Sequence, residues 1–194
     1  MIKITLFVFI GIFSFSQSQD RFMPNLPMGE YRTVFEKIHL CESIKNQSLL
    51  ANFYFDKKTS SETVLRGNLT FLIPFDDTLT IDLNLESWGS TGGWIPNSNV
   101  YVTKKACSTL KKLGGNAWYT AMKGFNIPST TCPISVGEYI TSGLDLKKFE
   151  DHGFPKIYFY GKYKLVFKIK TTENKIVACV YLEISLLRPW ETKI

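Results

Sequence analysis

Leu79-Thr80-Ile81-Asp82-Leu83-Asn84-Leu85-Glu86 alternates apolar and polar residues without a break. Side chains along a strand point to opposite faces in turn, so Leu79, Ile81, Leu83 and Leu85 share one face and Thr80, Asp82, Asn84 and Glu86 the other. A strand with one dry and one wet face belongs to an antiparallel sheet packed on one side only. The same period appears on either side of it. Leu49, Ala51, Phe53 and Phe55 alternate with Leu50, Asn52, Tyr54 and Asp56. Leu65, Gly67, Leu69, Phe71 and Ile73 alternate with Arg66, Asn68, Thr70 and Leu72. Further on, Tyr163, Leu165, Phe167 and Ile169 alternate with lysines and Val166, and Ile176, Ala178, Val180, Leu182, Ile184 and Leu186 repeat the pattern. Glu173-Asn174-Lys175 between them is a turn, so the pair reads as a long hairpin. Two antiparallel sheets packed face to face satisfy all of these strands, which makes the fold mostly β, a two-sheet sandwich.

Two stretches break the pattern. Trp88-Gly89-Ser90-Thr91-Gly92-Gly93-Trp94-Ile95-Pro96-Asn97 is dense in turn formers. Its tryptophans, Trp88 and Trp94, either cover an opening as a mouth loop or close one end of the core. Thr103 to Phe125 has apolar residues at helical spacing, with Thr103 placed to cap it. Gly114-Gly115 divides it into two short pieces, and Asn126-Ile127-Pro128 ends it. The expected fold therefore carries a short helical insert.

The chain starts with Met1-Ile2-Lys3, then an almost wholly apolar run from Ile4 to Phe15, then Ser16-Gln17-Ser18. A positive start, a short apolar core and small residues at the −3 and −1 positions form a signal peptide over residues 1–18. The apolar run is too short for a membrane-crossing helix, which needs roughly 20 residues. Residues 19–194 then form a single domain that is secreted to the extracellular space or delivered to the lysosomal lumen. The four cysteines, Cys41, Cys107, Cys132 and Cys179, all lie in that part. In an oxidising compartment they read as two disulfides with three connectivities open. Their wide spacing, with only two histidines in the chain, gives no metal site. Asn46-Gln47-Ser48 and Asn68-Leu69-Thr70 are glycosylation sequons, and the alternation puts Asn68 on an outer strand face.

The net charge of +6 is spread over short lysine pairs such as Lys57-Lys58, Lys111-Lys112 and Lys147-Lys148. Nucleic-acid proteins concentrate such charge on one face among stacking aromatics, so no nucleic-acid partner is expected. A transient contact with an anionic membrane surface is the better use of it. Catalytic devices are absent from the reading. His39 and His152 have no nucleophile motif beside them, Asp76-Asp77 and Glu150-Asp151 read as solvated turn acids, and no phosphate-cradling loop appears. The expectation is a non-enzyme without cofactor.

Cys132-Pro133-Ile134-Ser135-Val136-Gly137-Glu138-Tyr139 is followed by Gly161-Lys162-Tyr163-Lys164-Leu165 and then by Lys175-Ile176-Val177-Ala178-Cys179-Val180. With Gly67-Asn68-Leu69-Thr70, Glu86-Ser87-Trp88 and Arg188-Pro189-Trp190, this progression resembles the MD-2-related lipid-recognition (ML-like) superfamily, in its ganglioside-activator-like, insect secreted and chemosensory branch. The resemblance runs from about Cys41 to Trp190. It implies an immunoglobulin-like two-sheet β cup with an apolar cavity, and disulfides Cys41 with Cys179 and Cys107 with Cys132. It also implies a secreted carrier for a lipid or hydrophobic small ligand, such as a semiochemical or glycolipid, with a cell-surface receptor as a further partner. The inward candidates for the cavity are Leu69, Phe71, Leu83, Leu85, Val100, Phe154, Leu165, Phe167, Val180 and Leu182. The alternative is a secreted protein-recognition module, ligand or co-receptor, with the same sandwich filled by its own side chains and acting through the Trp88–Trp94 loop.

Overall fold

The computed structural model describes residues 25–41, 44, 46–59 and 62–191; the signal peptide expected over residues 1–18 lies outside them. The strands are β1 (Met28–Glu30), β2 (Arg32–Leu40), β3 (Leu49–Lys57), β4 (Thr63–Phe71), β5 (Thr80–Trp88) and β6 (Trp94–Lys104), then β7 (Gly137–Asp145), β8 (Ile157–Phe159), β9 (Gly161–Lys170) and β10 (Ile176–Leu187). Helices α1 (Ala106–Gly114) and α2 (Asn116–Gly124) stand between β6 and β7, and a single 3-10 turn (Leu146–Phe149) follows β7. The main sheet has the order β2-β10-β9-β5-β6, the second β3-β4-β7, and a two-stranded piece pairs β1 with β8. All pairings are antiparallel.

Register turns the sequence alternation into two facing surfaces. Leu83 pairs with Phe167 and Leu85 with Leu165. Phe167 in turn pairs with Val180, and Leu165 with Leu182. Ile38 and Phe35 of β2 continue the row beside Leu182 and Ile184. On the second sheet Leu69 lies between Ala51 and Tyr139, and Phe71 between Leu49 and Gly137. Gly67 sits at a bulge with φ +123, where a Cβ would come within 1.8 Å of the Asn52 carbonyl oxygen, so only glycine fits. The two inner surfaces join in one core, with Phe35 meeting Phe55 edge-on at 5.9 Å.

The helical insert closes one end of this core. Gly114-Gly115 breaks it as expected, because Gly115 takes φ +54. Its start differs from the expectation. Thr103 remains in β6, and Lys105, in the left-handed region at φ 60, occupies the N-cap without a side-chain bond. The cap comes from another loop: the Ser108 amide donates to Asp77 Oδ1 (2.8 Å) and the Ser108 hydroxyl to Asp77 Oδ2 (2.6 Å). These two bonds hold the Asp77 carboxyl below the usual carboxylate range. Asp77→Ala should cost about 1 kcal/mol, the usual loss for a helix cap. The sign follows from the depressed value: the stabilisation is present above the unfolded pKa and lost as pH falls through the folded one. The difference in melting temperature between the two proteins should therefore be full at neutral pH and shrink under strongly acidic conditions. A pH-independent difference would refute this assignment.

Candidate ligand cup

Burial is greatest at the insert end of the inner surface, falls midway along it, and rises again at Tyr163 and Leu186. At the insert end Ile81 and Ile134 are 0% and 1% exposed, and Leu79, Leu49, Ile169 and Ala178 are buried. Phe75 and Ile134 bridge there, and Cys107 is bonded to Cys132, tying α1 to the segment before β7. Midway along, the same rows are only half-buried: Leu85 after Leu83, Leu165 and Phe167 before Ile169, Val180 and Leu182 beyond Ala178. Phe53, Phe55 and Leu69 of the second sheet are half-buried as well. In a filled sandwich apolar side chains at the centre of both inner faces would be dry. Here the two faces leave apolar surface half-buried midway along their length, between the buried insert end and the buried Tyr163 and Leu186, which is consistent with a cup.

Of the expected cavity residues, the structure brings together Leu69, Leu83, Leu85, Leu165, Phe167, Val180 and Leu182 on the two inner faces, with Phe71 buried at the closed end. Two others lie elsewhere. Val100 pairs with Asn84, on the outer face, and is 51% exposed. Phe154 is in the loop before β8, exposed and edge-on to His152 at 5.2 Å. Ala51, Phe35, Ile38, Phe53 and Phe55 share the inner faces and were not singled out from sequence. The alternation in β3 already displayed Ala51, Phe53 and Phe55; a bulge hides that of β2.

The tryptophans are also a correction. β5 runs through Trp88 without turning, so the period of two carries Trp88 to the face of Glu86, outside the cup. Trp88 and Trp94 are cross-strand partners with ring centroids 5.1 Å apart. Lys162 Nζ lies 5.4 Å from one ring centre and 5.2 Å from the other, while pairing with Glu183 at 3.1 Å. Lys164 lies 5.1 Å from the Trp94 ring and pairs with Glu86 at 2.6 Å. The pair clamps the β5–β6 hairpin to β9 by cation–π contact rather than covering an opening.

A different element stands at the end away from the insert. β1 and β8 join just beyond the start of β9, where Tyr158 meets Tyr163 at 5.7 Å. The phenols of Tyr31, Tyr160 and Tyr163 donate to the carbonyls of Pro155 (2.7 Å), Glu30 (3.0 Å) and Phe159 (3.0 Å). Burial, with Tyr158 nearby, pushes the Tyr31 and Tyr163 phenols up, so they remain neutral donors. Met28, Ile157 and Phe159 on this piece are exposed. Three-residue strands leave no periodic signal, so the sequence did not reveal this rim.

The remaining candidates have structural roles. Asp76 accepts from the Thr78 amide and hydroxyl, and Asp151 from Asn116 Nδ2 at 2.7 Å. His39 meets Tyr181 at 5.3 Å with the rings tilted, on the outer face. His152 Nδ1 accepts from the Phe154 amide, and burial pushes that imidazole below its ordinary pKa. Among the described residues no group of His, Cys, Asp and Glu could hold a metal ion. Asn68 is on the outer face opposite Ile140, its amide donating to Glu138 Oε1 at 2.6 Å, beside a shallow depression of about 290 Å³ lined by Tyr54, Arg66 and Ile140. Asn46 is exposed.

The architecture is a two-sheet β sandwich or cup with apolar inner faces, stapled by Cys41–Cys179 and Cys107–Cys132. The family model of the ML domain matches residues 37–186, and the chain belongs to that family. ML-domain proteins are lipid-binding non-enzymes. No curated protein matches the chain. Among solved structures, chicken MD-1 complexed with lipid IVa is similar at 12% identity and a TM-score of 0.31, over 82% of this chain and 100% of that one. No described helix is long and apolar enough to cross a membrane.

Proposed function

We propose that this protein is a secreted carrier that holds a lipid or lipid-like molecule, such as a semiochemical or a glycolipid, between its two sheets and presents it without making or breaking a bond. One observation carries the reading: the central inner residues Leu85, Leu165, Phe167 and Leu182 are apolar, face the opposite sheet and are only half-buried. Acyl chains laid against them gain about 0.8 kcal/mol per buried CH₂. Membership of the ML domain family supports the same ligand class. The half-buried inner faces weigh against the filled-core alternative. Two disulfides favour an oxidising destination outside the cytosol. Either outward sequon, the exposed Asn46 or the half-buried Asn68, could carry a glycan.

The ligand must enter from a membrane or another carrier, and the exposed Ile157 and Phe159, with Lys156 beside them, suit a brief contact with an anionic bilayer at the open end. Native mass spectrometry of protein purified from its source should show a bound lipid, and a fluorescent fatty acid should load in solution. Failure to load any fatty acid, sterol or glycolipid would overturn the reading. Ile157→Asp with Phe159→Asp should slow uptake from anionic vesicles several-fold and leave equilibrium affinity for dispersed ligand unchanged. Equal loss of both would place these residues in the cup rather than at its rim.

A further inference from the structure

β6 ends the main sheet: one of its edges pairs with β5, and no described strand pairs with the other. Every residue from Ile95 to Val102 is exposed, Val102 to 60%. Such an edge offers a row of unpaired N–H and C=O groups to a further strand, and sheets ordinarily guard it with charges, proline, bulges or a covering segment. Here the guards stand at the ends, Pro96 and the bulge between Ile95 and Asn99 on one side and Lys104-Lys105 on the other. Asn97 to Thr103 holds neither charge nor proline. In a chain of net charge +6, this neutral stretch lets two copies approach without setting like charges opposite each other.

We propose that two copies of the chain pair antiparallel through β6, about a two-fold axis at Tyr101, so that the two main sheets become one. The sequence is self-complementary in that register. Tyr101 faces Tyr101 of the second copy, Val100 faces Val102, Asn99 faces Thr103, and Lys104 meets Ser98 rather than another lysine. Val100 and Val102 share the outer face, opposite Asn84 and Asp82 of β5. The pairing therefore gathers four valines into one apolar patch. A register centred on Val100 would instead set Val102 against Ser98 and divide that patch. The contact is isologous, so it closes as a dimer and does not propagate. A single strand pair is small beside the roughly 1,200–2,000 Å² of stable interfaces, so the dimer is weak and depends on concentration. Tyr101 and Asn99, opposite Leu83 and Leu85, lie on the inner side of the sheet at its edge, while the central rows of the cup take no part in the contact.

Sedimentation of the full mature protein should show monomer at low micromolar and dimer at high micromolar concentration. Val100→Lys with Val102→Lys should weaken dimerisation at least tenfold, leaving the melting temperature and fatty-acid loading unchanged because both residues are exposed and outside the cup. Tyr101→Cys should oxidise to a covalent dimer, since opposed residues of antiparallel strands lie about 4.5–5.5 Å apart at Cα, within disulfide reach. Val102→Cys, which faces position 100, should not. A protein that stays monomeric throughout overturns the proposal, whether or not β6 then accepts a strand of another protein. So does a dimer that survives both lysines, or one in which Val102→Cys links as readily as Tyr101→Cys.

Discussion

The Leu165→Asn protein is expected to fold with little loss of thermal stability, yet to take up a fluorescent fatty acid roughly five- to 100-fold more weakly than the unsubstituted chain. Leu165 stands at the centre of the inner row, between Leu85 and Leu182, and is half-buried. In the empty cup, water can solvate the new amide, so the fold tolerates it. When an acyl chain enters, that water leaves and the amide has no partner, at a cost of about 1–3 kcal/mol. Each 1.4 kcal/mol is tenfold in affinity. Ala51→Phe approaches the question from the other side. Ala51 faces inward beside Leu69. In a cup the larger ring occupies ligand space, so loading falls while the melting temperature holds. In a filled sandwich the same ring would overpack and destabilise by about 1–3 kcal/mol. Loss of stability without loss of loading would therefore exclude the cup. Titration of the fluorescent ligand together with thermal unfolding of both variants separates these cases.

What could be read from sequence follows from which strands have one dry and one wet face. β3, β4, β5, β9 and β10 do, and their alternation survives almost intact into the pairing. β2 was not legible because the bulge opposite Glu183 and Ile184 shifts its period between Phe35 and Lys37. β7 carries a similar shift against Leu65 and Gly67. β6 is an edge strand with both faces exposed, so no burial selects its residues, and Val100 looked inward only because it is apolar. The turn-rich stretch around Gly92 was recognised, but its length was overestimated: β5 runs to Trp88 and β6 resumes at Trp94. That difference moves both tryptophans from a loop to a sheet face. The inner residues were legible, whereas the opening was not, because a filled sandwich and an open cup demand the same alternation. Separation of the sheets depends on how the insert and the β1–β8 piece hold the ends, and neither carries a periodic signal.

Removing the Cys41–Cys179 bridge should lower stability more than removing Cys107–Cys132, while harming ligand binding less. The first spans 138 residues of sequence and the second 25. By the chain-entropy relation their loss from the unfolded-state constraint is about 5 and about 3.5 kcal/mol. Cys→Ala pairs avoid free thiols and add a similar small cavity in each case. The first bridge lies outside the cup. Cys41 and Cys179 pack with Val166, which shares the outer face of the main sheet, and with Ile44, Ile176 and Tyr181. The Cys41 amide donates to the Cys179 carbonyl at 3.3 Å, and the Cys179 amide to Gln47 Oε1 at 2.8 Å, so local bonds keep β2 on β10 when the sulfurs are gone. The second bridge stands in the wall. Cys107 is fully buried in the core cluster with Ile81, Trp118 and Ile134, and its bridge ties α1 to the segment before β7. Freeing it loosens the closed end against which an acyl chain would terminate. Denaturant unfolding should rank the midpoints with the Cys41–Cys179 variant lowest. Ligand titration well below both midpoints should rank affinity the opposite way, because chain entropy acts on the unfolded state and the wall acts on the folded one.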